Sequence, residues 1–284
     1  MRGDPKTVFV LRPADPGEAV ELYGCNPDAV PLAGGTDLLV GFNAGRFNGK
    51  KVLDLSRLSA WTRIEAVKGG VRIGALVTHS QIERHPLVLR RLPLLAEACS
   101  TVGAIQIRNR GTLGGNIANA SPAGDSFPAL AVYEASVHAV SREGRRSLPV
   151  LDLFTGVKKT ALGPGELIEV VEVPFPKRAP DARLFRKVGS RRAQTISKTV
   201  CAGLLWLKGG KVEELRFAFG SVAPTVRRLK KIEAFLAGGR LTRERVEAAC
   251  ALLGDDISPI DDLRSTRQYR LEVSRNLLRS FLAR

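Results

Sequence analysis

Two glycine clusters hold the residues of this 284-residue chain whose types and spacing suit chemistry. The first is Pro31-Leu32-Ala33-Gly34-Gly35-Thr36-Asp37-Leu38-Leu39. An apolar run meets paired glycines, then a hydroxyl. Without Cβ atoms in the way, successive backbone N–H groups can converge on one point and form a nest for phosphate oxygens, and Thr36 adds a hydroxyl donor. An ordinary Gly-Gly turn with a threonine cap would use the same residues. The second cluster, Gly111-Thr112-Leu113-Gly114-Gly115-Asn116-Ile117-Ala118, repeats this logic and runs on to Ser121-Pro122-Ala123-Gly124-Asp125. Read alone, it is equally a tight loop packed against a sheet. Two such loops in one domain suit a ligand with two adjacent phosphates. Neither is a GxGxxG opening a βαβ unit or a GxxxxGK[ST], so nothing signals a separate NAD or ATP site.

Other chemistries find little support. Cys25, Cys99, Cys201 and Cys250 are far apart, with no CxxC pair, so neither a closed zinc site nor an iron–sulfur cluster is expected in this chain. His79, His85 and His138 lack metal-ligand spacing and read as structural or exposed. No GxSxG elbow points to a nucleophilic enzyme. The net charge of +16 invites a nucleic-acid hypothesis, but the basic residues are scattered and only 6% of residues are aromatic, which leaves few stacking platforms. A basic face for acidic partners, or solubility alone, accounts for the charge. No stretch approaches the roughly 18 apolar residues of a membrane span, and Met1 to Glu21 lacks a signal-peptide core, so the expected location is cytoplasmic.

Thr7 to Leu11 and Lys51 to Leu55 read as strands, and Gly70 to Ala75 alternates with period two. Pro16 to Tyr23 reads as a short helix with Asp15 as N-cap. One or two helices are expected over Pro86 to Cys99, and a helical turn then a strand over Phe127 to Val140. Pro174-Phe175-Pro176 is the best linker. Beyond it, Cys201 to Leu207 and Leu215 to Phe219 read as strands joined at Gly209-Gly210. Three helices follow, the first starting at a Thr225 cap, the second at Thr242 and stopping at Gly254, the third carrying Val273, Leu277, Leu278, Phe281 and Leu282 on one face. The plan is a separate α+β domain, an antiparallel sheet covered by helices.

Taken in order, Ala33-Gly34-Gly35-Thr36-Asp37-Leu38, Thr112-Leu113-Gly114-Gly115-Asn116-Ile117 and Ala120-Ser121-Pro122-Ala123-Gly124-Asp125 resemble the FAD-binding subunit of molybdenum hydroxylases, the carbon monoxide, xanthine and aldehyde-oxidising family. Glu166-Leu167-Ile168, Glu172-Val173-Pro174, Phe185-Arg186-Lys187-Val188-Gly189 and Arg191-Arg192-Ala193 extend the match over essentially the whole chain. The resemblance implies an α+β fold: a two-part FAD-binding domain of the vanillyl-alcohol-oxidase (PCMH) type over 1–176, split into roughly 1–57 and 58–176, then a small antiparallel-sheet-plus-helices domain over 180–284.

It also implies roles. Leu32, Ala33, Gly34, Gly35, Thr36, Asp37 and Leu38 would wrap the FAD pyrophosphate, with Gly111, Thr112, Gly114, Gly115 and Asn116 on the other side. Ala118, Gly124 and Asp125 would follow the ribityl chain, and Ile168 and Lys187 would sit by the ring. Where xanthine dehydrogenases tend to place an aromatic beside the ring, this chain has Val102. No catalytic residue and no metal ligand is expected here. The implied partners are a large molybdopterin-binding subunit and a small 2Fe-2S subunit, in a dimer of heterotrimers, with electrons leaving to NAD, quinone or oxygen. A self-contained FAD-dependent oxidoreductase of the same fold is the first rival, and a basic nucleic-acid-binding protein the second.

Overall fold

A computed structural model describes residues 3–191 and 193–283, so Arg192 of the Arg191-Arg192-Ala193 segment lies outside the described residues. Strands β1 (Phe9–Leu11), β2 (Val30–Leu32) and β3 (Lys51–Asp54) form a parallel sheet in the order β1-β3-β2. The helix Pro16–Cys25 crosses from β1 to β2, capped by Asp15, whose carboxylate accepts from the Glu18 N–H at 3.0 Å. The first strand is shorter than its composition suggests, because Asp4 caps a 3-10 turn over Pro5–Thr7.

The second layer holds β4 (Ile64–Val67), β5 (Gly70–Gly74), β6 (Ser136–Ser141) and β7 (Gly144–Pro149). After β7, β8 (Phe154–Gly156) and β9 (Lys159–Thr160) pair with each other. The long β10 (Leu167–Pro174) then inserts between β5 and β6, giving an antiparallel sheet in the order β4-β5-β10-β6-β7. A register shift between Ile168 and Val170 lets the Glu169 carbonyl accept from Ala75 N–H at 2.9 Å. Bulges of this kind re-aim side chains beside functional sites. The helices His79–Arg84, Pro86–Arg91 and Pro93–Ser100 and the helix Phe127–Val132 pack their buried faces with this sheet into one core.

The last sheet runs β11 (Ala182–Val188), β12 (Thr199–Lys208), β13 (Lys211–Gly220) and β14 (Arg227–Arg228), all antiparallel. Both of its faces are covered. Ala202, Leu204, Trp206 and Ala218 join the core of the second layer, whereas Cys201, Leu205, Phe217 and Phe219 pack under the C-terminal helices. Burial on two sides is why Thr199 to Trp206 is an uninterrupted buried run rather than an alternating one.

Three expectations need correction. Thr225 starts no helix: Arg227–Arg228 pairs with Phe219 and Ala218 instead, and the helix begins at Lys230. The cause is Arg228, which is buried and donates to both Glu233 carboxylate oxygens (2.7 and 2.8 Å) and to the Ala131 carbonyl (3.0 Å), so the chain stays extended to deliver it. The helix begun at Thr242 ends at Ala251, and Gly254 belongs to a further turn, Leu253–Asp256. The glycine-rich block is not wholly loop either, since Leu113–Asn119 is helical.

Candidate functional site

A cavity of about 1380 Å³ runs between the three sheets. That exceeds the roughly 300–1,000 Å³ typical of sites for drug-sized ligands and leaves room for an extended one. The loop after β2 forms one wall. Gly35 there has φ +75°, a left-handed conformation that glycine adopts without steric cost. Among the described residues, no group accepts from the backbone N–H of Gly34, Gly35, Thr36 or Asp37. Four successive free donors lining a cavity are the nest that the sequence suggested, and an anion is what such a nest lacks.

The second glycine segment stands against the first. A Cβ on Gly34 would lie 1.9 Å from the Arg110 carbonyl oxygen, so the two loops touch only because that atom is absent. Thr112 caps the helix Leu113–Asn119 by accepting from Gly115 N–H at 3.1 Å. Gly114 packs on the loop after β5, where a Cβ would meet the Ala75 methyl at 2.6 Å, and its N–H donates to the Ala75 carbonyl at 2.9 Å. This local packing, rather than chain flexibility, is what requires glycine at 34 and 114.

Asp125 lines the cavity, and its Oδ2 accepts from Lys187 Nζ at 2.6 Å. Lys187, on β11, also donates to the Thr101 carbonyl at 2.9 Å, and each side chain of the pair is only 8% exposed. Burial pushes the Asp125 carboxyl up to about 6, against the opposing pull of Lys187. Among the described residues, Asp125 Oδ1 has no hydrogen-bond partner. His79, one residue past the Thr78 helix cap, is buried beside the Gly111 loop, and its N–H donates to the Gly111 carbonyl at 3.0 Å. Burial, then the charge of Arg108, lowers its imidazole to about 4, so it is neutral at physiological pH.

His79 therefore carries a stability signature. In the unfolded chain it takes a proton near pH 6.5, but in the fold only near 4, so its contribution is present above 6.5 and is lost as pH falls from 6.5 to 4. Asp125 shifts the opposite way over part of that range, so the difference between the wild type and His79→Gln is the quantity to follow. That difference should fall by about 3 kcal/mol between pH 6.5 and 4 in denaturant titrations. A pH-independent difference would show that His79 takes up its proton equally readily in the fold and in the unfolded chain.

All but two of the residues expected at the site line the cavity: Ala33, Gly34, Gly35, Thr36, Asp37 and Leu38 on the first loop, Val102, then Gly111, Thr112, Gly114, Gly115, Asn116 and Ala118, with Gly124, Asp125 and Ile168. Leu32 does not. It is the last residue of β2, and its carbonyl accepts from Leu55 N–H at 2.8 Å. Lys187 does not either, being turned into its bond with Asp125. Sequence reasoning missed Tyr23, Trp61 and Leu76, His79, the C-terminal stretch Gln194 to Ser197, and several residues between Ser258 and Arg270, among them Ile260, Asp262 and Arg264, which complete the walls. These carry no local motif. Only the fold brings them to the cavity.

Residues 6–176 match the family described as the FAD binding domain in molybdopterin dehydrogenase, and residues 184–284 match the CO dehydrogenase flavoprotein C-terminal domain. The chain belongs to this family of FAD-binding medium subunits. Among relatives of the molybdopterin dehydrogenase flavin subunits, the glyceraldehyde dehydrogenase medium chain of Sulfolobus acidocaldarius is 32% identical, over 90% of either chain. The xanthine dehydrogenase FAD-binding subunit of Escherichia coli O157:H7 is 30% identical, covering 96% of this chain and 94% of its own. A solved carbon monoxide dehydrogenase from Hydrogenophaga pseudoflava superposes with a TM-score of 0.91 at 30% identity, over 100% of this chain and 96% of that one. The cofactor of the family is FAD, and the free amide nest, the glycine contacts and the cavity volume fit it. Among the described residues, no cluster of His, Cys, Asp and Glu is arranged to hold a metal ion, and no helix is long and apolar enough to cross a membrane.

Proposed function

We propose that this chain is the electron-transfer subunit of a molybdenum hydroxylase complex, receiving electrons from a 2Fe-2S partner subunit and passing them to NAD, quinone or oxygen, while a large molybdopterin-binding partner hydroxylates the substrate. FAD, when bound, supplies both one-electron and two-electron chemistry, which suits a converter between clusters and a soluble acceptor. The residues expected to hold it are those of the two glycine loops, with Ala118, Gly124, Asp125, Ile168 and Val102 along the rest of the cavity. The observation that carries the reading is the row of four unpartnered amides from Gly34 to Asp37, closed by the Gly111–Gly115 segment. The family matches, which meet between residues 176 and 184, support a division into 1–176 and 180–284.

The chain's own groups position and shield rather than exchange protons with substrate. Each carboxylate lining the cavity has a cation: Asp37 with Lys158 (3.7 Å), Asp125 with Lys187 (2.6 Å), Glu166 with Arg146 (2.6 Å) and Asp262 with Arg270 (2.7 Å). A self-contained oxidoreductase needs a general base that is free to take a proton. Among the described residues every lining carboxylate is held in an ion pair, which favours the relay.

The test is a visible spectrum of the purified chain with the released cofactor identified. Oxidised-flavin bands with FAD equimolar to protein are the expected result. A chain that stays colourless after incubation with excess FAD would overturn the reading.

A further inference from the structure

We infer that the hairpin tip Asp262–Ser265, with the neighbouring rim of the cavity, is the docking surface for the complex's electron-donating protein subunit, which should present an apolar pocket rimmed by carboxylates. The inference rests on the electron-transfer reading above. Leu263 is fully exposed at the tip, and Ile260 and Ile196, which line the cavity, are 68% and 52% exposed. Scattered exposed apolar residues need no explanation, but Ile260 and Ile196 share the cavity's lining and Leu263 sits between two residues of it, Asp262 and Arg264.

The tip is also held rigidly. Asp262 and Ser265 exchange backbone hydrogen bonds (3.1 and 3.2 Å), and Asp262 Oδ1 accepts from the N–H of Arg264 and of Ser265. The same oxygen accepts from Arg270 at 2.7 Å. Arg270 is buried, and it binds the carbonyls of Lys198 and Ser221 at 2.6 and 2.8 Å, so the tip is bolted to the ends of β12 and β13. A buried arginine spent on holding an exposed leucine in place is preorganisation, which lowers the ordering cost of association.

Charge selects the occupant. Arg264 and Arg267 line the cavity at this rim; Arg264 pairs with Asp262 at 3.6 Å, whereas among the described residues the guanidinium of Arg267 has no acidic partner, only its backbone N–H donating to Asp261. Lys198 Nζ sits 4.9 Å over the exposed Tyr269 ring beside them. An apolar centre flanked by Arg267 and Lys198, whose side chains have no acidic partner among the described residues, fits an acidic protein face. A small-molecule acceptor would enter the cavity, whereas Leu263 stands outside its lining. Continuity of the rim with the cavity places the donor's redox centre close to the flavin site.

The experiment co-expresses the full chain with the iron–sulfur subunit of its complex and measures both association and FAD content. Leu263→Asp should weaken association about thirtyfold or more, as expected for loss of a central anchor, with FAD content unchanged. Leu263→Met should associate like the wild type. Arg264→Glu should slow association and flatten its salt dependence. Unchanged association in Leu263→Asp overturns the proposal, and so does loss of FAD in parallel with association, which would assign the tip to the cofactor pocket. A wild-type chain that associates but carries no FAD would instead refute the electron-transfer reading and leave the docking surface standing.

Discussion

Replacing Lys187 by Met should destabilise the fold by about 3–5 kcal/mol, the usual result of removing one member of a buried ion pair. The Lys187–Asp125 pair joins β11 to the cavity wall, and its ammonium also ties down the Thr101 carbonyl, next to Val102 and Gly103. Without it, Asp125 keeps a buried carboxyl with no counter-charge. The carboxyl, already raised by burial, rises further and takes a proton. The folded variant then binds more protons than the unfolded chain above about pH 4, so its stability falls as pH rises through the folded value. The deficit against wild type should therefore be smaller near pH 5 than near pH 8 in urea titrations. Adding Asp125→Asn to Lys187→Met should recover much of the loss at pH 8. A single variant as stable as wild type at both pH values would show that the pair carries no energy.

The second large effect is expected at Gly34. Gly34→Ala puts a methyl 1.9 Å from the Arg110 carbonyl oxygen, a contact that no rotamer change can relieve because both partners are backbone. The two glycine loops must separate. Overpacking of this sort costs about 1–3 kcal/mol. The larger consequence is at the site, since separating the loops opens the amide nest. FAD per chain should fall at least tenfold, a loss of about 1.4 kcal/mol or more in affinity. Gly254→Ala is the control. A Cβ there meets nothing within 4 Å and the backbone is not in the left-handed region, so stability and FAD content should be unchanged or slightly improved. If Gly34→Ala retains flavin like the control, the cradle does not depend on the contact between the loops.

Features that depend only on neighbouring residues were legible in the sequence. Asp15 before Pro16 and Thr242 before its helix cap those helices as expected, because a cap needs only its own next three residues. The paired glycines identified both loops, because a backbone free of Cβ atoms is a property of residue type. The ordered motifs carried the family, and the family matches agree over residues 6–176 and 184–284.

Tertiary structure decided what depends on distant partners. Thr225 is a good cap in isolation, yet buried Arg228 needs Glu233 and the Ala131 carbonyl, and satisfying that charge holds the chain extended. Nothing local marks Lys187 as buried; it is, because Asp125, 62 positions away and itself in the cavity wall, captures it. His79 has no spacing that marks it, and its lowered basicity exists only because the Gly111 loop and the sheet bury it beside Arg108. Local preferences are worth about 1 kcal/mol each, whereas leaving a buried charge unpaired costs several. Where the two conflicted in this chain, burial prevailed.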